Sequence, residues 1–181
     1  YRDKEDMFDA ISYNKGKHVM HMLRKAVGDE AFFASLKKYL ETNRYKPVEI
    51  HHLRLAFEEV TGRDMNWFFN QWFLAKGRPK LRVQKNYDTA GGKLRLIVEQ
   101  HQDLSQVPLY RLPMRVDVYV RDGVERFNIV ADDRIDTFEL AAKYPPELVN
   151  VDADRYLLAE VTYDRSREEL LYQYSRAPLF G

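Results

Sequence analysis

The chain has 181 residues, enough for one ordinary domain or two small ones, and at 45% hydrophobic and 31% charged it is neither a disordered tail nor a collagen-like repeat. Residues 1–79 hold 14 Lys/Arg against 11 Asp/Glu and the remainder 15 against 17, so neither half has the basic bias of a nucleic-acid binder, and no nucleic-acid partner is expected. Without cysteine, disulfides, CxxC zinc sites and thiol nucleophiles are excluded, and without a run of about 18 apolar residues no membrane-spanning segment is expected.

From about Asp9 to Lys76 the apolar residues recur at helical spacing. Val19, Met22, Leu23, Ala26 and Val27 share one face of a first helix, and Gly28 stands where a helix C-terminus favours a left-handed residue. Asp29 is placed to cap a second helix, with Phe32, Phe33, Leu36, Tyr39 and Leu40 on its buried side. Pro47 marks the next loop. Ile50, Leu53, Phe57 and Val60 define a third helix stopped at Thr61-Gly62. Asp64 is placed to cap a fourth, whose Trp67, Phe68, Phe69, Trp72 and Phe73 are apolar nearly all round and therefore deeply packed. Short connections imply antiparallel neighbours, hence a small helical bundle.

Beyond Gly77-Arg78-Pro79 the period falls to two. Leu81 and Val83, then Leu94, Leu96 and Val98, then Met114, Val116, Val118 and Val120 alternate with polar neighbours, Asp117 and Tyr119 among them. Ala90-Gly91-Gly92 and Asp122-Gly123 are turn signals, the second that of a tight hairpin. Further short strands are expected at Arg126–Val130, Thr137–Leu140, Leu148–Val151 and Leu157–Thr162, making an antiparallel β-sandwich. Ser166 to Ser175 turns helical again with Leu170, Leu171 and Tyr174 on one face, and is read as a short terminal helix with nothing in this chain to pack against.

A catalytic metal site needs three or more converging ligands. His18 and His21 lie three apart on a helix, but no H-E-x-x-H occurs and no third ligand accompanies them, so they read as a solvated face plus a semi-buried ring. His51-His52 is an adjacent surface pair whose side chains diverge around the helix; Glu58-Glu59 and Asp132-Asp133 read as solvated faces or turns. There is no G-x-S-x-G elbow and no phosphate-cradling glycine loop. Composition and spacing alone reach a helical bundle followed by a β-sandwich.

One segment says more. Phe8-Asp9-Ala10-Ile11-Ser12-Tyr13-Asn14-Lys15-Gly16, followed by Val19, Met22-Leu23 and Gly28-Asp29-Glu30-Ala31-Phe32, resembles the aminopeptidase N family of zinc metallopeptidases, in the part of the catalytic domain after the zinc site. The resemblance continues through Tyr39-Leu40, Leu53-x-x-Ala56-Phe57-Glu58, Trp72 and Gly77-x-Pro79, more weakly through Val151-Asp152 and Leu157-Leu158, and ends at Gln173-x-x-x-Ala177-Pro178. It implies an α+β chain: a helical end of a thermolysin-like catalytic domain over residues 1–78, a β-sandwich over 79–164, and over 165–181 the start of a further helical region.

The resemblance carries the family's tyrosine onto Tyr13, with the role of donating a hydrogen bond to the oxyanion as water attacks the scissile carbonyl. An ordinary core tyrosine is the alternative for this residue. Gly16 is expected to admit another backbone closely; Lys15 is not read as catalytic. The family's zinc ligands and general base precede this tyrosine and are absent here, so the chain reads as a downstream fragment of an enzyme that removes N-terminal amino acids from peptides. Zinc belongs to the intact parent, and the fragment alone is expected to be inactive. The alternative from another class is a non-catalytic interaction module without metal.

Overall fold

Helical spacing becomes four helical segments: α1 (Ala10–Val27), α2 (Asp29–Thr42), α3 (Ile50–Thr61) and α4 (Asn66–Phe69), the last running into a π-helical turn, Asn70–Leu74. The computed structural model describes residues 10–176, and the chain divides into two units between Lys76 and Gly77. Val19, Met22 and Leu23 are the buried face of α1. Gly28 joins two helices: its N–H donates to the Arg24 carbonyl (2.8 Å) and its carbonyl accepts from the Phe32 N–H (3.0 Å). At φ 87° and ψ 162° it has the positive φ that glycine tolerates, with extended rather than left-handed-helical ψ. Asp29 is therefore not the cap but the first residue of α2, its carboxylate bonded twice to the Arg24 guanidinium (2.8 and 2.5 Å).

The buried face of α2 is narrower than the sequence suggested. Phe32 and Ser35 are inside, while Phe33 and Leu40 are 56% and 66% exposed. About 100° per residue turns Phe33 away from Phe32, and Leu40, seven residues on, lies along the same outer line. Val60 on α3 is likewise exposed, and Ala56 and Phe57 face the core instead. Gly62 ends α3, its N–H donating to the Glu58 carbonyl (2.8 Å). The Glu58 side chain accepts from Arg54 (2.7 and 2.8 Å) and from the Met65 N–H (3.0 Å), tying the helix to the next segment. Asp64 sits one residue outside the cap position expected for it, but its carboxylate still accepts from the Asn66 N–H (2.8 Å), which lowers its pKa. Aromatic rings fill the centre: Phe32–Phe57 at 5.8 Å, Phe57–Phe69 at 6.5 Å and stacked Phe69–Phe73 at 4.9 Å. The wide π-helical turn, closed by the Ala75 N–H on the Asn70 carbonyl (2.9 Å), holds Gln71 and Trp72 inside together.

The second unit contains β1 (Lys80–Asp88), β2 (Lys93–Gln100), β3 (Leu112–Val120), β4 (Gly123–Ala131), β5 (Ile135–Ala141), β6 (Leu148–Val151) and β7 (Glu160–Tyr163), with α5 (Arg167–Arg176) after them. They form two sheets, ordered β5-β2-β1-β7 and β4-β3-β6. Leu81, Val83, Leu94, Leu96, Val98, Met114, Val116 and Val118 are buried, as the alternation requires. The sandwich is not wholly antiparallel. β7 lies parallel to β1, from Lys80 opposite Glu160 to Val83 opposite Tyr163; the other four pairings are antiparallel. The chain leaves β6 in one sheet and crosses to the other before β7, a route that permits a parallel edge where a hairpin would not.

Two polar features organise the sandwich. The buried Gln100 and Gln102 side chains bond each other (3.1 Å) and reach the Tyr110 and Pro108 carbonyls (2.7 and 3.0 Å), pinning the loop between β2 and β3. Asp117 and Tyr119, expected on the polar face of β3, are buried. Asp117 accepts two bonds from Arg126 directly across the β3–β4 ladder (2.6 and 2.7 Å), and Tyr119 packs with Leu148 against Tyr172 of α5. So α5 does find a partner. A capping box opens it, with the Ser166 N–H on Glu169 (3.0 Å) and the Glu169 N–H on the Ser166 hydroxyl (3.2 Å). Glu169 pairs with Lys85, and Gln173 accepts from Arg165 (2.5 Å), while the apolar Leu170 and Leu171 and the Tyr174 ring are exposed.

Candidate active-site tyrosine and the helix that carries it

Tyr13 lies near the start of α1 with 63% of its surface exposed. At about 100° per residue, Val19 and Met22 fall on the half of the helix opposite Tyr13 and Leu23 lies about 80° from it, and all three are buried. The packing of that buried face fixes the rotation of α1 and leaves the Tyr13 side chain outside the core of this unit. Gly16, one turn on, has nothing within 4 Å of where a Cβ would stand, so the close backbone approach expected there is not made among the described residues. Phe8 and Asp9 of the same motif lie outside the described residues.

The charge of α1 is one-sided. Its 18 residues contain no Asp or Glu, but they include Lys15, Lys17, His18, His21, Arg24 and Lys25. Composition over whole halves of the chain hides this, although a window the length of one helix reveals it. Tyr13, Lys17, His21 and Arg24 fall within an arc of about 80°. Arg24 forms an ion pair with Asp29 at the start of α2. That pairing raises the Arg24 pKa and lowers that of Asp29. Partial burial, then the nearby charges of Lys25, His18 and Arg24, hold the His21 pKa below its ordinary value.

The other candidates resolve into local roles. His52 Nδ1 accepts from the Glu49 N–H (3.0 Å) at the start of α3, and His51 lies beside Glu49 (3.3 Å). The two imidazoles do not diverge: their centroids are 4.0 Å apart. Glu59 pairs with Lys38 on α2 (2.6 Å). A polar hollow lined by Asn86, Asp88, Lys93, Arg95 and Glu139 is occupied by its own pairs, Lys93–Glu139 at 3.1 Å and Arg95–Glu139 at 3.6 Å.

A peptidase zinc site wants imidazole and carboxylate ligands with one position open. Among the described residues, the group of three potential ligands is Asp132, Asp133 and Asp136, all carboxylates at the β4–β5 turn, where Asp136 already accepts the Asp133 N–H (3.0 Å). Among the described residues, His18 and His21 belong to no such group. The described residues therefore offer no imidazole-and-carboxylate set of the kind a catalytic zinc needs.

Residues 1–72 match the Peptidase family M1 domain. Aminopeptidase N of Lactococcus lactis subsp. lactis is 33% identical over 113 residues, 61% of this chain and 13% of that protein. Tricorn protease-interacting factor F2 of Thermoplasma volcanium is 27% identical over 158 residues, 87% of this chain and 18% of that protein. The solved structure of Legionella pneumophila aminopeptidase A in complex with aspartic acid shares the fold, with a TM-score of 0.82 over 98% of this chain and 21% of its own, at 17% identity. The chain thus spans between 13% and 21% of the length of these relatives.

Proposed function

Because the chain belongs to the M1 aminopeptidase family, we propose that it is the part of a zinc aminopeptidase that supplies Tyr13 to the active site and the scaffold behind it. The intact enzyme removes N-terminal amino acids from peptides. Its zinc is held by residues outside this chain, and these 181 residues alone do not hydrolyse aminoacyl substrates.

The observation that carries the reading is the exposed phenol at the start of a helix whose other face is locked in the core. When water adds to a scissile carbonyl, negative charge appears on an oxygen that was only weakly basic before. A neutral phenol O–H aimed at that oxygen stabilises the transition state more than the ground state. A donor of this kind contributes about 3–4 kcal/mol in a site closed to water. Anchoring by Val19, Met22 and Leu23 means the donor needs little reorganisation as the charge forms.

The test is Tyr13→Phe in the intact aminopeptidase, with an aminoacyl-anilide substrate. The kcat is expected to fall by about 10²–10³-fold with KM little changed, the pattern of an interaction made only in the transition state. Melting should hardly move, since an exposed position is altered and the ring is kept; surface changes of this kind stay within about 0.5 kcal/mol. Near-normal kcat removes Tyr13 from the site. Failure of the intact, zinc-supplied protein to release N-terminal residues removes the aminopeptidase reading itself.

A further inference from the structure

The acid-free face of α1 is the feature this role for Tyr13 leaves unexplained. An 18-residue helix in a chain of net charge +1 would ordinarily mix both signs, since Glu/Lys pairs four apart support an exposed helix. Here Lys17, His21 and Lys25 follow Tyr13 at successive four-residue steps, and all three are exposed. Arg24, on the same side, is drawn off by Asp29 and by the Phe33 ring 5.3 Å below its guanidinium. The three remaining groups form a line that begins beside the tyrosine and winds about 40° around the helix at each step, so that Lys25 stands about 120° from it.

We propose that this line on α1 makes the enzyme prefer peptides with carboxylate side chains in the residues that follow the scissile bond. The proposal rests on the aminopeptidase reading and on Tyr13 marking the scissile carbonyl. A helix rises 1.5 Å per residue, so Lys17, His21 and Lys25 lie about 6, 12 and 18 Å along the axis from Tyr13. An extended peptide covers about 3.3–3.6 Å per residue. A substrate running along α1 therefore brings its second residue past the cleavage point to Lys17, and its third to fifth toward His21 and Lys25. Lys17 and Lys25, with the His21 imidazole between them, match a few carboxylates on a short peptide, and the near-neutral chain has no longer basic track for a polyphosphate.

The experiment compares two hexapeptides in the intact aminopeptidase, Leu-Ala-Asp-Ala-Asp-Ala and its Asn counterpart, by the ratio of kcat/KM. Exposed charge pairs are individually weak, so the acidic peptide should be favoured by about 3–10-fold at low ionic strength. The preference should fade toward unity near 1 M salt, where the screening length is about 3 Å. Lys17→Ser with Lys25→Ser should abolish the preference, and Lys17→Glu with Lys25→Glu should reverse it. Lys37→Ser, which removes an exposed lysine of α2, should leave the ratio at its wild-type value. Equal kcat/KM for both peptides at low salt overturns the proposal while leaving the aminopeptidase reading intact. So does an acidic preference that survives the charge reversal, because this face would then be engaged with other parts of the protein. If neither peptide is cleaved, the aminopeptidase reading has failed, and this inference with it.

Discussion

Removing either partner of the Asp117–Arg126 pair should destabilise the sandwich unequally, and the structure fixes which change is worse. The Asp117 side chain is 6% exposed and that of Arg126 is 50% exposed, with two bonds of 2.6 and 2.7 Å between them. Asp117 holds the Arg126 guanidinium protonated well above its ordinary range, so that charge persists at any accessible pH. In Arg126→Ala a buried carboxylate loses both of those bonds, and an uncompensated buried charge costs about 3–5 kcal/mol. In Asp117→Ala the guanidinium is already half in water and keeps Asp154 at 3.9 Å. That change gives up charge-assisted hydrogen bonds worth about 1.5–3 kcal/mol. Arg126→Ala should therefore be the less stable by about 1–2 kcal/mol. Urea unfolding of the two variants at 25 °C, extrapolated linearly to water, measures the difference. Equal losses, or a larger loss for Asp117→Ala, would refute the argument that burial of the carboxylate sets the energetics here.

Two further outcomes are expected. Gly77 has φ +86° and a Cβ there would meet Val107 Cγ2 at 2.6 Å, so Gly77→Ala should lose about 2–4 kcal/mol in chemical denaturation, from backbone strain plus overpacking; Gly16→Ala, in open space within α1, should instead gain up to about 1 kcal/mol. Burial pushes the phenols of Tyr156 and Tyr163 up to about 12, where they donate to the Pro113 and Val151 carbonyls (2.7 and 2.5 Å). Because the folded pKa values lie above the unfolded one, their stabilisation is complete below pH ~10 and is lost between pH ~10 and ~12. Absorbance titration at alkaline pH should show two late-ionising tyrosines that disappear in Tyr156→Phe and Tyr163→Phe, with unfolding coinciding with their ionisation in the parent chain.

Periodicity is a local property, and what it governs was readable along the chain. The 3.6-residue spacing of Val19, Met22 and Leu23 fixes both the existence of α1 and its buried face, and hence the outward direction of Tyr13. Alternation located the seven strands, and the Tyr13-Asn14-Lys15-Gly16 motif located the candidate site. What escaped depends on contacts between residues distant in sequence. Phe33 and Leu40 are as apolar as Phe32, but only the arrival of α3 decides which side of α2 is covered. Asp117 reads as a solvated strand residue until Arg126 is seen opposite it. Nothing in Glu160–Tyr163 itself says that its edge partner is β1, because hydrogen bonds between strands are made by the backbone, which every sequence shares. The side of α5 that docks carries Glu169 and Gln173 rather than its leucines, since Lys85 and Arg165 are the groups that meet it. Local spacing determined the elements and the facing of α1; burial, strand partners and charge pairing were decided only when distant segments met, because those energies exist between segments and not within them.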